Sequence, residues 1–108
     1  MLPKKNRAGR REIEKIFQKG KFIFSSGLNF KFILNRNGEN RRISFVVPKN
    51  IVQTAVKRNL LRRRGYVALK KYLNKFPAGI LGTLIFKKPE ENISIIENDI
   101  ENILNKIN

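Results

Sequence analysis

The sequence predicts a small single-domain α+β sandwich, in which helices pack on one mainly antiparallel sheet. Three observations predict this class. The chain has 108 residues, of which 41% are hydrophobic, and this suffices for one domain with its own core. Apolar residues recur at helical spacing in some segments and at strand spacing in others. The resulting order, α-β-β-(β)-α-β-α, is typical of helices packed on a sheet.

The first helix is predicted over residues 10–19, and Gly20 can end it. Its apolar positions at helical spacing are Ile13, Ile16 and Phe17. A short additional strand, written in brackets in the element order above, is predicted near residues 22–24.

Two longer strands are predicted next, over residues 28–34 and 42–47. In the first, the apolar residues Leu28, Phe30, Phe32 and Leu34 alternate along the strand. Residues 35–38, Asn-Arg-Asn-Gly, supply turn chemistry, and Pro48 ends the second strand. The two strands are therefore predicted to pair as an antiparallel hairpin with a loop longer than two residues.

A long helix is predicted from Gln53 or Thr54 to Tyr72 or Asn74, with Thr54 able to cap its free N–H groups. Its apolar stripe consists of Leu61, Ala68, Leu69 and Tyr72. Gly65 lies within the stripe, where it costs about 1 kcal/mol relative to alanine.

A last strand and a last helix complete the chain. Residues 77–79 form a turn, residues 80–86 a buried strand, and residues 87–89 its end. The final amphipathic helix carries Ile93, Ile96, Ile100, Ile103, Leu104 and Ile107 at helical spacing.

The chain is strongly basic, with 24 Lys and Arg against 8 Asp and Glu and a formal charge of +16. Such self-repulsion is tolerated mainly when a polyanion neutralises it, and nucleic acid is the first candidate. Residues 40–89 contain no acid, whereas residues 90–101 contain five. One face should therefore be basic, and the C-terminal element should lie away from it.

Several function classes are disfavoured by composition. The sequence has no His and no Cys, so it lacks imidazole acid–base chemistry, a thiol nucleophile and a zinc cluster. Its few carboxylates are too unevenly placed for a two-metal nuclease site. No apolar span, membrane-binding amphipathic helix or signal-peptide segment is evident, so no membrane partner is expected and a cytoplasmic location is predicted.

The most concentrated basic segment is residues 55–64, on the long helix. Arg58 and Arg62 lie one turn apart and share a flank, while Arg63 lies away from the apolar stripe. Several guanidinium groups on one rigid helix can fix a phosphate backbone at defined positions. The alternative is a solvated face that only aids solubility, which the lack of acids in the same region disfavours.

The most specific sequence element is Ala-Val-x-Arg-Asn, at residues 55–59. A strand over residues 42–47 and a lysine-containing loop precede it, and Arg62-Arg63-Arg64 follows it. This region resembles the signature of the bacterial ribonuclease P protein family. Residues 2–7 and 84–89 also resemble the family, so the likeness covers nearly the whole chain.

The resemblance implies a left-handed crossover in the fold and a holoenzyme in which the RNA subunit is catalytic. It implies ribonuclease P RNA and precursor tRNA as partners, one protein monomer per RNA, no small-molecule substrate, and Mg²⁺ held mainly by the RNA. The activity implied is Mg²⁺-dependent endonucleolytic removal of the 5′ leader. The residues it assigns to RNA-subunit binding are Lys49, Lys57, Arg58, Asn59, Arg62, Arg63 and Arg64. From the sequence alone, Asn59 could cap or bridge the backbone, or orient an arginine.

The chain departs from the family at three positions. Leu60 stands where members usually have a basic residue, so one RNA contact is missing or is supplied by Arg64. Gly65 replaces an apolar residue, which makes it a candidate end for the helix. Tyr66 replaces a basic residue.

The family's central cleft, between the first helix and the sheet, binds the single-stranded leader. The residues that the resemblance assigns to this cleft are Lys15, Phe17, Phe30, Lys31 and Phe32, with Phe22 as a further candidate. By spacing alone, Phe17 fits a core position better than a base-stacking one. Phe30 and Phe32 share one strand face, so both are core or both are cleft, and core is favoured.

Three other classes remain open from the sequence. A ribosomal or other structural RNA-binding protein shares the size, the charge and the lack of catalytic residues. An autonomous nuclease or toxin is disfavoured by the missing histidine. A DNA-binding module is disfavoured because neither helix-turn-helix spacing nor a zinc motif is present.

Overall fold

The predicted α+β class is confirmed by the computed structural model, which describes residues 9–34 and 40–107. The elements in chain order are α1 (Arg10–Lys19), β1 (Lys21–Phe24), β2 (Leu28–Leu34), β3 (Arg42–Val46), α2 (Ala55–Lys70), a 3₁₀ turn (Leu73–Lys75), β4 (Ile80–Phe86) and α3 (Ile93–Ile107). The short additional strand is β1, and Gly20 caps α1 as predicted, its amide donating to the carbonyl oxygen of Ile16 at 2.7 Å.

The described strands form one sheet in the order β1-β2-β4-β3. β2 pairs antiparallel with both β1 and β4, and β3 pairs parallel with β4. The predicted hairpin between β2 and β3 is therefore wrong, because β4 lies between them. The turn predicted at residues 35–38 lies outside the described residues.

The central place of β4 follows from its composition. It is apolar along nearly its whole length, and only Leu81 and Ile85 are partly exposed. A near-continuous apolar strand is typical of the interior of a sheet that helices cover on both faces. β3, α2 and β4 thus form a parallel crossover unit, and its left-handed sense stays a prediction of the family resemblance.

The pleat of the sheet separates two faces with different partners. Phe30, Phe45 and Leu84 lie on the face that packs against α2 and α3, called here the core face. Lys31 and Thr83 lie on the opposite face, against which α1 packs, called here the α1 face. Helices thus cover both faces of the sheet.

The predicted stripes of α2 and α3 both face the core. Leu61 and Leu69 of α2, with Ile96 and Ile100 of α3, are at most 1% exposed. α2 does not end at Gly65 but continues to Lys70. Thr54 holds the N-cap position as predicted, although its side chain makes no capping hydrogen bond.

Two of the family departures have a packing explanation. A Cβ atom at Gly65 would lie 2.8–2.9 Å from carbons of the Phe45 ring, so glycine allows α2 to approach the sheet closely. The buried ring of Tyr66 meets the Phe45 ring edge-on, with centroids 5.2 Å apart. Its hydroxyl accepts a hydrogen bond from the Phe45 amide at 3.3 Å. Tyr66 therefore belongs to the core and not to the basic surface.

α1 is fixed to its face of the sheet by one buried residue and one ion pair. Ile16 is fully buried. Nη1 of Arg42, on β3, lies 2.8 Å from Oε1 of Glu12. These two contacts leave the Phe17 side of α1 open to solvent.

The C-terminal helix packs against the apolar side of the basic helix, and its predicted position away from the basic face stays a prediction. α3 packs against α2, because its apolar stripe needs the same core. Within residues 9–34 and 40–107, every helix is too short or too polar to cross a membrane.

The turn between β1 and β2 is held by Asp99 of α3, which is 3% exposed. Its Oδ1 accepts hydrogen bonds from the Ser25 hydroxyl at 2.6 Å, the Ser26 hydroxyl at 3.1 Å and the Gly27 amide at 3.2 Å. The carboxylate thus satisfies three donors of a turn that would otherwise depend on water.

Candidate nucleic-acid interface

The loop before α2 places Lys49 beside the start of that helix. The amides of Ile51 and Val52 both donate to the carbonyl oxygen of Pro48, at 3.0 and 3.2 Å. The turn is therefore closed on itself, and the Lys49 side chain on it is exposed.

Arg58 ties this loop to α2. Its Nη1 donates to the carbonyl oxygens of Val52, at 3.0 Å, and Gln53, at 2.7 Å. Carbonyls at this point have no helical partner, and the half-buried arginine satisfies two of them. Arg58 thus stabilises the loop that precedes α2, independently of any phosphate contact by its other guanidinium nitrogens.

Asn59 orients an arginine. Its side-chain oxygen accepts a hydrogen bond from Nη2 of Arg62, three residues further along the helix. Arg63 is exposed and has no hydrogen-bond or ion-pair partner among the described residues. Arg62 and Arg63 therefore present adjacent guanidinium groups to solvent from a rigid element.

Lys57 and Arg64 contact the segment before α3. Nζ of Lys57 lies 3.5 Å from Oε2 of Glu91, with both side chains nearly half exposed. Nη1 of Arg64 donates to the Glu91 carbonyl oxygen at 3.3 Å. Exposed ion pairs contribute only about 0–1 kcal/mol, so a phosphate can displace Glu91 from Lys57. The outward cations, called here the α2 surface, are Lys49, Lys57, Arg62 and Arg63.

Three exposed phenylalanines lie beside the α1 face and are called here the aromatic strip: Phe17 (43% exposed), Phe22 (46%) and Phe24 (58%). The rings of Phe22 and Phe24 are stacked, with centroids 5.4 Å apart and planes 5° apart. Solvent-exposed, parallel aromatic rings of this kind can stack with nucleobases.

A lysine lies between two rings of the strip. Nζ of Lys31 is 5.3 Å from the Phe17 ring centroid and 4.7 Å from that of Phe22. It also donates to the Phe17 carbonyl oxygen at 2.6 Å. Lys15 is exposed on α1, two residues before Phe17. The strip therefore combines apolar rings with cations that can reach phosphates.

Phe30 and Phe32 do not line this surface, and their assignment to the leader cleft is wrong. They are 0% and 6% exposed, and their rings stack on each other with centroids 5.2 Å apart. Strand alternation puts them on the core face, opposite Lys31, where Phe30 also meets the Phe76 ring edge-on.

Sequence analysis missed Phe24, which is more exposed than any other aromatic residue of the described chain. It also missed Lys87 and Lys106, which lie beside the same strand. The available signal was the spacing of Phe22 and Phe24, which puts both rings on one face of a four-residue edge strand.

The matching family model is Ribonuclease P, over residues 2–108. The chain belongs to the ribonuclease P protein family. Its members are subunits of an endoribonuclease holoenzyme that acts in tRNA processing, with ribonuclease P RNA and precursor tRNA as partners. This membership favours the ribonuclease P assignment over the ribosomal, autonomous-nuclease and DNA-binding alternatives.

Solved structures agree with the fold. The ribonuclease P protein from Thermotoga maritima is 24% identical, with a TM-score of 0.79 and coverage of 94% of this chain and 97% of that one. A second structure of that protein, in complex with 1-(4-fluorophenyl)-2-thiourea, has 24% identity, a TM-score of 0.76 and coverage of 92% and 96%. The Staphylococcus aureus protein is 19% identical, with a TM-score of 0.75 and coverage of 92% and 91%. No curated protein sequence matches the chain.

Proposed function

We propose that this ribonuclease P protein binds the catalytic RNA through the α2 surface and the 5′ leader of precursor tRNA through the aromatic strip. One observation carries the proposal: the two surfaces lie on opposite sides of the sheet. α2 packs on the core face, whereas Lys31 projects from the α1 face. One small protein can therefore contact two RNA molecules at the same time.

The α2 surface suits a folded RNA with closely spaced phosphates. Asn59 holds Arg62 in place, and Arg58 holds the loop that carries Lys49. Preorganised guanidinium groups lose less side-chain entropy on binding than free ones. The contacts are mainly with the backbone, so they fix position and orientation and do not read base sequence.

The aromatic strip suits a single strand. Bases in a duplex are already stacked on each other, so exposed rings favour unpaired nucleotides. Stacking is tolerant of sequence, which fits a leader that differs from one precursor tRNA to another. Lys15 and Lys31 would contact the phosphates between stacked bases.

The role of the protein in the reaction is to bind and orient. The sequence has no His or Cys. Of the described acids, Glu12 is paired with Arg42, and Asp99 accepts three hydrogen bonds. We propose that the catalytic groups belong to the RNA. The protein raises the affinity for precursor over mature tRNA because only the precursor carries a leader.

The proposal assigns Mg²⁺ mainly to the RNA and to its phosphates. Mg²⁺ keeps several waters and is commonly bound by one or two carboxylates together with phosphate oxygens, and the RNA supplies many such phosphates. Residues 9–34 and 40–107 bring no three His, Cys, Asp or Glu side chains together. By neutralising phosphates, the protein should lower the Mg²⁺ concentration that the RNA needs.

The proposal also includes one protein monomer per RNA subunit and a cytoplasmic location. The two surfaces are complete within one chain, so no second copy is needed to build either. The cysteine-free sequence is compatible with a reducing compartment.

The test is reconstitution with a ribonuclease P RNA and a precursor tRNA at low Mg²⁺. We expect cleavage at the mature 5′ end when protein and RNA are both present. RNA alone should cleave slowly and only at higher Mg²⁺, and protein alone should leave the precursor intact. Correct cleavage by RNA-free protein would overturn the assignment of catalysis to the RNA, and no stimulation of the RNA would overturn the proposed function.

A further inference from the structure

Phe24 and two lysines form a surface at the far end of the aromatic strip, beyond the Phe17 and Lys31 region. Phe24 is 58% exposed on β1, an edge strand. Nζ of Lys106, near the end of α3, donates to the Phe24 carbonyl oxygen at 2.5 Å. Nζ of Lys87, just after β4, donates to the Ser25 carbonyl oxygen at 3.0 Å. Both lysines are exposed.

We infer that this surface is a second binding site for single-stranded RNA, which takes the part of the 5′ leader farther from the cleavage site. The inference rests on the proposed function, because it extends the path of the same leader. It adds Lys87 and Lys106 to the aromatic strip and assigns the Phe24 ring, which is already part of that strip, to the outermost nucleotides.

The continuity of rings and cations supports one path. Lys31 lies between the rings of Phe17 and Phe22, and the Phe22 ring stacks on that of Phe24. Lys106 lies at the backbone of Phe24, where its Nζ contacts the carbonyl oxygen. Exposed aromatic rings with lysines nearby are typical of surfaces that bind single strands without reading their sequence.

The lysines are held in place and still able to bind phosphate. An ammonium group has three donors, and the hydrogen bond to a backbone carbonyl uses one of them. The remaining donors can contact phosphate oxygens. Because each amine is already fixed, binding costs little further side-chain entropy.

Asp99 makes the site rigid. Its carboxylate binds the Ser25 and Ser26 hydroxyls and the Gly27 amide, so the turn after Phe24 is fixed to α3. The same helix carries Lys106. The Phe24 segment and Lys106 are therefore held relative to each other by the buried Asp99 carboxylate. Asp99 is thus a positioning residue for the site.

Charge complementarity favours RNA over a second copy of this chain as the occupant. A chain with a net charge of +16 repels its own copies. Lys106 also occupies the Phe24 carbonyl at the open edge of the sheet, and this hinders pairing with another strand.

The experiment uses the reconstituted holoenzyme and precursor tRNAs whose leaders are lengthened one nucleotide at a time, under conditions that block cleavage. For the unmodified protein, affinity should rise as each ring is reached. Phe24→Ala should remove the gain from the outermost nucleotides, roughly fivefold or more for one stacked base, and leave short leaders unaffected. Phe17→Ala should weaken binding already for short leaders.

Lysine variants test the phosphate contacts. Lys87→Gln and Lys106→Gln should each reduce the slope of log affinity against log salt by roughly 0.7, and only for long leaders. Lys75→Gln, an exposed lysine beside Tyr72, is the matched control and should not change this slope. Phe24→Leu keeps an apolar side chain without a ring, so it should also lose the gain.

The outcomes separate the two proposals. If Phe17→Ala weakens binding but Phe24→Ala matches the unmodified protein at every leader length, the second site is refuted, and the proposed leader binding is limited to the Phe17 and Phe22 part of the strip. If neither variant changes leader binding, the aromatic strip is not the leader site at all. If the free protein dimerises and Phe24→Ala dissociates it without a leader-length effect, the surface belongs to a second copy.

Discussion

Replacing Gly65 by alanine inserts one methyl group between α2 and the sheet. A Cβ atom at this position lies 2.8–2.9 Å from three carbons of the Phe45 ring, whereas carbon atoms normally pack about 3.5–4.0 Å apart. The Phe45 ring is 3% exposed and is enclosed by the rings of Tyr66 and Phe86, with centroids 5.2 and 5.6 Å away. It cannot move aside without disturbing both neighbours.

Two opposing contributions set the size of the effect. Alanine is favoured over glycine inside a helix by about 1 kcal/mol. Overpacking a well-packed core costs about 1–3 kcal/mol. We expect Gly65→Ala to lower the free energy of unfolding by about 1 kcal/mol in net terms. In a domain of this size, that lowers the melting temperature by about 4–8 °C.

Thermal and denaturant unfolding of the free protein measure the effect, and a double-mutant cycle identifies its cause. Phe45→Leu removes the ring, so Gly65→Ala should cost nothing further in that background. Val67→Ala, on the exposed side of the same helix, should stabilise slightly because only helix propensity changes. A higher melting temperature for Gly65→Ala, or an equal loss in both backgrounds, would refute the reasoning.

Three other predictions concern the RNA surfaces and the β1–β2 turn. Arg62→Ala should flatten the salt dependence of RNA-subunit affinity by roughly one counterion and leave the melting temperature unchanged. Arg58→Ala should also lower the melting temperature, because it leaves two loop carbonyls without their hydrogen-bond donor. Equal melting curves for the two variants would contradict this. Phe17→Ala should weaken binding of leader-containing precursor by about 1–3 kcal/mol and leave mature tRNA binding and stability nearly unchanged; a collapse in melting temperature would instead place Phe17 in the core. Asp99→Ala leaves two buried donors without a partner, at a cost of about 1–3 kcal/mol each. Unfolding in urea should therefore show a free energy of unfolding that is lower by about 2–6 kcal/mol. Ser26→Ala, which removes the exposed donor, should change this free energy little.

Local patterns in the sequence predicted most of the elements. α1 has its predicted bounds, and α3 buries Ile96, Ile100 and Ile103 as its spacing indicated. Helical spacing and end signals act over a few residues, so the sequence carries them directly. The resemblance to a known family supplied the rest of the functional assignment, and the role of the α2 surface that it implies stays a prediction.

The sheet order and the cleft could not be predicted in the same way. Turn chemistry after β2 indicates a reversal of the chain but not which strand lies alongside. Alternation showed that Phe30 and Phe32 share a face, yet not which helix covers it. Phe22 and Phe30 have the same residue type and similar neighbours in the sequence, and only the packing of α1 and α3 on opposite faces makes one exposed and the other buried.

The position of β4 has a consequence for how the molecule assembles. β4 is the last strand along the chain but lies between β2 and β3 in the sheet. Until it has been synthesised and inserted, β3 has no neighbour in the described sheet, and the β1–β2 pair is separate from it. Contacts between distant segments form slowly. The arginines of α2 therefore leave the ribosome before the strand that fixes their helix, and we expect the α2 surface to form only after β4 has been inserted.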